Sequence, residues 1–151
     1  MPVQSFNTAE TYMNNLIHTY HQTANSKDEI IKQLAKILDN LNYFHPFREG
    51  NGRTQREVIR SLALSKGYSA QIRVEQDDDI YNLYMDGTVY GDLEKLEELF
   101  DRILDNYRGE IGIHYTSIDV RNLDFKRFLK FSISLYCNIN QPNHYLFHYL
   151  F

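Results

Sequence analysis

A chain of 151 residues, 42% hydrophobic and 14% aromatic, can bury one compact core but is too short for two. Its net charge of −4 offers none of the basic excess that binding to a phosphate backbone demands, so nucleic acid is not an expected partner. No apolar run is long enough to cross a bilayer, "MPVQSFNTAETY" has neither half of a secretory signal, and Cys137 has no second cysteine to pair with, so a cytoplasmic protein away from membranes is expected.

The first periodic stretch, residues 7 to 21, puts Met13, Leu16, Ile17 and Tyr20 on one helical face, with Asn7 and Glu10 spaced as a capping box. "SKDEIIKQLAKILDNLNYF" repeats the pattern more strongly through Ile30, Ile31, Leu34, Ile37, Leu38 and Leu41, and predicts a helix ending near Phe44. Pro46 disfavours helical dihedrals at His45, which is expected to be extended. A third helix is predicted over about 52 to 66, with Val58, Ile59, Leu62 and Ala63 inward and Gly67 closing it. "SAQIRVE" alternates Ala70, Ile72 and Val74 with polar residues as a weak strand does, and "DDDIYNLYMDG" reads as a short helix capped by its aspartates. The next helix, in "GDLEKLEELFDRILDNYRG", turns Leu93, Leu96, Phe100, Ile103 and Tyr107 inward. Beyond Gly109 the chain is rich in aromatic and β-branched residues and follows no period. His144 and His148 stand four apart there, with no further ligands to suggest a metal.

The densest chemistry lies in "HPFREGNGRTQR", residues 45 to 56, between two predicted helices. Gly50 and Gly52 let backbone approach a ligand closely, and the helix that follows presents unpaired N–H groups with partial positive charge, which suits a phosphate. Arg53 and Arg56 stand three apart, so both forks can reach one polyphosphate. A carboxylate at Glu49 makes sense beside phosphates as a holder of Mg²⁺. His45 stands just ahead of the loop, and histidine is the side chain suited to accept a proton there.

The same string resembles the Fic family signature, HPFx[D/E]GN[G/K]R, at every defined position, and Arg56 matches the further arginine common after it. The likeness extends over roughly residues 5 to 107 and implies a mainly α, compact Fic-type domain with its active-site loop between two helices and at most a short flap strand. It divides the chain into a Fic-like core, 1–108, and a C-terminal extension, 109–151. The family's upstream helix and half of its flap are expected to be missing, with "MPVQSF" supplying the flap's other half.

By that resemblance the chain would be a protein adenylyltransferase, moving AMP from ATP to a Tyr, Thr or Ser hydroxyl of a target protein. His45 would be the base, and Glu49 would hold Mg²⁺. Gly50, Asn51 and Gly52 would line the anion hole, with Asn51 on the α-phosphate and Arg53 and Arg56 on the outer phosphates. Tyr81 and Tyr84 could border the adenine or line the core. Two alternatives stay open: phosphate transfer, as in relatives with lysine in place of the second glycine, and a truncated remnant that binds only nucleotide or a partner. Many members restrain themselves with an [S/T]xxxE[G/N] helix whose glutamate holds the second arginine. No Ser or Thr here is followed four residues later by Glu, so a toxin-like chain is expected, with the glutamate supplied by a separate antitoxin-like protein or by a segment outside this sequence.

Overall fold

The computed structural model describes residues 3–45 and 50–106. The expectations for Glu49, Tyr107, the His144/His148 pair and the 109–151 extension fall outside the described residues. Within them the chain is mostly helical: α1 (Val3–Thr23), α2 (Lys27–Phe44), α3 (Asn51–Ser65), α4 (Asp78–Tyr90) and α5 (Leu93–Ile103). A two-stranded antiparallel ribbon joins β1 (Tyr68–Ser69) to β2 (Asp105–Asn106), with Tyr68 opposite Asn106 and Ser69 opposite Asp105. The expected mainly α fold is what forms.

Helix α2 is the centre of the molecule and packs against α1, α3, α4 and α5. Its six predicted core positions are all buried, joined by Ala35 and Phe44, so the helix is apolar over more than one stripe. Each fully buried Leu or Ile contributes about 1.5–3 kcal/mol of transfer free energy, which is why the element with most such positions sits in the middle. It begins with a capping box: Ser26 Oγ accepts from the Glu29 N–H at 3.3 Å, and Glu29 Oε2 accepts from the Asn25 and Ser26 N–H groups, each at 3.0 Å. These two backbone donors hold the Glu29 carboxyl below its ordinary pKa.

The expected capping box at Asn7 and Glu10 does not form, because α1 has already begun at Val3 and Asn7 is interior, its carbonyl accepting from Thr11 Oγ1 at 2.9 Å. The stretch Val3 to Phe6, expected as the remaining half of a flap strand, is likewise the start of α1. Helix α1 is tied to α3 by the Tyr20 hydroxyl, which donates to the Leu62 carbonyl at 2.9 Å in full burial. Burial raises the Tyr20 phenol far above its ordinary pKa, so it remains a donor. His18 is exposed, whereas His21 is half-buried and edge-on to Tyr20.

After α3, Lys66 caps the helix and Gly67 takes a left-handed φ of 81°. The alternation of "SAQIRVE" is real in burial, with Ala70 and Ile72 inside, but only Tyr68–Ser69 finds a partner strand. Asp77 caps α4 by accepting from the Asp79 and Ile80 N–H groups. That helix runs past Asp86 through Gly87, where a side chain would overlap Leu96 of α5; the glycine is what lets the two helices close on each other. In α5, Leu96, Leu99 and Phe100 are buried, Ile103 is half-buried, and Leu93 at the first turn is exposed rather than inward.

Candidate functional site

The last turn of α2 and the first turn of α3 bracket the 45–56 stretch. His45 closes α2 in the left-handed region, at φ 41° and ψ 59°, with its N–H donating to the Leu41 carbonyl at 3.2 Å. This corrects the expectation of an extended His45. A following proline excludes only the right-handed helical well, and the left-handed well satisfies that exclusion while also capping the helix. His45 is the one non-glycine residue with positive φ among the described residues. Such a conformation costs roughly 1–2 kcal/mol, although histidine tolerates it better than most residues.

The exposed imidazole of His45 lies with Nδ1 at 3.3 Å from the Asn42 carbonyl. A carbonyl can only accept, so Nδ1 carries the proton and, in the neutral ring, Nε2 carries the lone pair. The ring is thereby held in the tautomer that can take a proton from outside.

Gly50 begins α3 with φ 80°, which a side chain would strain. The first-turn N–H groups that follow belong to Asn51, which is 5% exposed, to Gly52 and to Arg53. A Cβ on Gly50 would lie 3.6 Å from Arg53 Nη2. One on Gly52 would lie 3.3 Å from Arg56 Nη1 and 3.6 Å from the Tyr84 hydroxyl. Both guanidinium groups therefore fold back over the two glycines at the positive end of the helix. Arg56 also lies over the Tyr84 ring, 5.8 Å from its centroid, and makes no ion pair among the described residues.

Tyr84 is buried and its hydroxyl donates to Gln55 Oε1 at 3.4 Å, whereas Tyr81, one turn earlier, is 44% exposed and its side chain makes no hydrogen bond or ring contact among the described residues. The fold thus brings His45, Gly50, Asn51, Gly52, Arg53, Arg56 and Tyr84 to the α2–α3 junction, and leaves Tyr81 at the rim of α4. Two neighbours escaped the sequence reading. Gln55 was a spacer inside the motif, and Asn42 one of several polar residues on α2. Their partners are 29 and 46 residues away, at a range where periodicity carries no signal. A cavity of about 420 Å³ between β1 and the start of α4, lined by Arg73, Asp77, Ile80 and Ile103 among others, includes no residue of the 45–56 stretch. Among the described residues no three His, Cys, Asp or Glu side chains gather as a metal centre would require.

A protein adenylyltransferase of Bartonella henselae is 32% identical over 78 residues, which is 52% of this chain and 14% of that protein. The protein adenylyltransferase VbhT of Bartonella schoenbuchensis is 42% identical over 53 residues, 35% of this chain and 11% of its own length. A probable protein adenylyltransferase Fic of Escherichia coli K12 is 29% identical over 79 residues, 52% of this chain and 38% of its own. The chain therefore spans well under half the length of each of these relatives. Residues 1–63, a segment that ends inside α3 and contains all of the 45–56 stretch, match the model of the Fic/DOC family.

Proposed function

We propose that the chain is the nucleotide-handling part of a protein adenylyltransferase. The observation that carries this reading is the junction itself: an exposed histidine whose Nδ1 meets a backbone carbonyl at the end of α2, and two arginines folded over a glycine-bracketed start of α3. Similarity to proteins named protein adenylyltransferases supports it.

In this reading ATP places its phosphates on the first turn of α3. The N–H groups of the Gly50–Gly52 segment and the Asn51 amide meet the α-phosphate, and Arg53 and Arg56 meet the β and γ phosphates with forked donors. A hydroxyl of the target protein then attacks the α-phosphorus in line. A bond forms between that oxygen and phosphorus, the bond from phosphorus to the bridging oxygen of pyrophosphate breaks, and the hydroxyl proton passes to His45 Nε2. Pyrophosphate leaves with the electron pair. Mg²⁺, for which Glu49 is the proposed holder, would neutralise phosphate charge when bound. Because Glu49 is outside the described residues, the chain's described contribution is to orient, to supply positive charge and to move one proton.

Gly52 favours AMP transfer over phosphate transfer in this scheme. A side chain there would press on the Arg56 fork and the Tyr84 hydroxyl, so the present arrangement of both depends on its absence. Arg56 open to ATP is also what a toxin-like enzyme restrained by a separate inhibitor protein requires. Incubation of the chain with ATP, Mg²⁺ and a cell lysate, followed by intact-protein and peptide mass spectrometry, tests the reading. Gain of AMP on a Tyr, Thr or Ser supports it. Gain of phosphate instead, or binding of nucleotide with no gain at all, replaces it with phosphate transfer or with a silent binding remnant.

A further inference from the structure

Two hydrogen-bonded chains leave the last turn of α2, and both end on α4. In the first, the Leu41 carbonyl accepts from two donors at once: the N–H of His45 at 3.2 Å and Nε2 of Gln55 at 3.3 Å. The other end of the Gln55 amide, Oε1, accepts from the Tyr84 hydroxyl at 3.4 Å. In the second, the Asn42 carbonyl accepts from His45 Nδ1 at 3.3 Å, and the Asn42 side chain donates from Nδ2 to the Thr88 carbonyl at 2.6 Å. The backbone of His45 is thus referred to α4 through Leu41 and Gln55, and its ring through Asn42. Thr88 is itself fixed, its Oγ1 donating to the Tyr84 carbonyl at 2.7 Å.

Gln55 is 3% exposed in a helix whose other inward positions are largely apolar. Burying an amide costs free energy unless both its donor and its acceptor are answered, so a Gln at this position needs partners on two sides. Those partners are the carbonyl that caps the His45 turn and the hydroxyl of the tyrosine that carries Arg56. A hydrocarbon side chain of similar length would fill the space without linking the two.

We propose that Gln55 and Asn42 are positioning residues that register the His45 imidazole against α4 and, through Tyr84, against the Arg56 guanidinium. Neither touches the reacting atoms. The left-handed turn at His45 is uphill on its own and persists only where its surroundings over-determine it, and these two ties supply that constraint. When the Asn42 carbonyl moves off Nδ1, the neutral ring is free to carry its proton on Nε2, where it can no longer accept one. The inference builds on the proposed roles of His45 and Arg56, but its first readout does not depend on them.

That readout is the tautomer of the neutral His45 ring, measured by ¹⁵N NMR of the full chain with labelled histidine, the His45 signals being assigned by their loss in His45→Ala. Gln55→Met keeps volume and removes both ends of the first chain; Asn42→Ala removes the second; Ile30→Val, at the far end of α2, is the control for general loosening. Both test variants should raise the Nε2–H population by roughly twofold or more while the control leaves it at the parental value. In transfer assays kcat should fall about tenfold in Asn42→Ala with KM for ATP nearly unchanged, since only the base is displaced. Gln55→Met should lose in both kcat and KM, since Tyr84 beneath Arg56 loses its partner as well. If Gln55→Met does not fold, Asn42→Ala alone decides. An unchanged tautomer population in the folded variants overturns the inference. A parent chain that transfers no AMP overturns the proposed function instead, and leaves the tautomer measurement to judge the two ties.

Discussion

His45 stands in the left-handed region, at the end of the central helix, with its Nδ1 on the Asn42 carbonyl and its side chain exposed. In the role proposed for His45, a base preset in its tautomer loses no free energy to ring rotation when the hydroxyl arrives, so its removal should be felt in rate rather than in nucleotide affinity. His45→Ala is expected to lower AMP transfer by at least about 10²-fold, with ATP binding retained. Arg56→Ala should do the converse. A forked, charge-assisted contact is worth about 1.5–3 kcal/mol, so ATP affinity measured by calorimetry should weaken roughly 10–100-fold. If the two variants showed the same pattern, base and phosphate roles could not be divided between these residues. The residue types and spacing of the proposed site were legible in "HPFREGNGRTQR", because binding a polyphosphate uses few side chains and here they lie close in sequence. The conformation of His45 was not. The proline rule removes one well and cannot choose between the remaining two; the left-handed one, which ends α2 as a C-cap, is the one that forms.

Helix starts show how local signals compete. Asn7 with Glu10 and Ser26 with Glu29 have the same spacing, yet only the second pair caps a helix. The difference lies in what precedes them: α1 is already helical before Asn7, whereas Ser26 sits at an extended φ of −110° and ψ of 161°. Because the Glu29 carboxylate accepts two backbone N–H groups when folded, its pKa is depressed below 4.5 and the folded state favours the ionised form. Its contribution is therefore complete above the unfolded value and is lost as pH falls through the lower folded value. The melting-temperature gap between parent and Glu29→Gln should be constant near neutrality and shrink below about pH 4.5. Ser26→Ala should cost about 1 kcal/mol in urea unfolding, as removal of a good N-cap does. Where α4 crosses α5 the signal ran the other way. "MDG" read as the end of a short helix, but Gly87 is interior and makes room for Leu96. Gly87→Ala should destabilise by roughly 1–3 kcal/mol despite alanine's better helix propensity, and a stabilised variant would show that the helices can part without cost.

At the scale of the molecule, periodicity was enough to identify the core of α2 and the inner faces of α1, α3 and α5, since an amphipathic stripe depends only on residues three and four apart. It could not say that α2 would touch every other helix, nor that α4 would supply the frame for the α2–α3 junction, because those contacts join residues far apart in the chain. The division proposed at residue 108 is of this second kind. Among the described residues the buried core runs from Met13 to Leu104, and β2 closes against β1 at Asp105–Asn106, so a chain cut after residue 108 keeps both strands and every core residue so far named. The proposed site lies wholly before that cut. A fragment of residues 1–108 should therefore unfold in urea as one cooperative transition and bind ATP within about twofold of the full chain. A broad, non-cooperative transition with affinity lost would mean that part of 109–151 completes the core, and the boundary would have to be withdrawn. A cooperative transition with affinity lost would instead place a nucleotide contact in the extension.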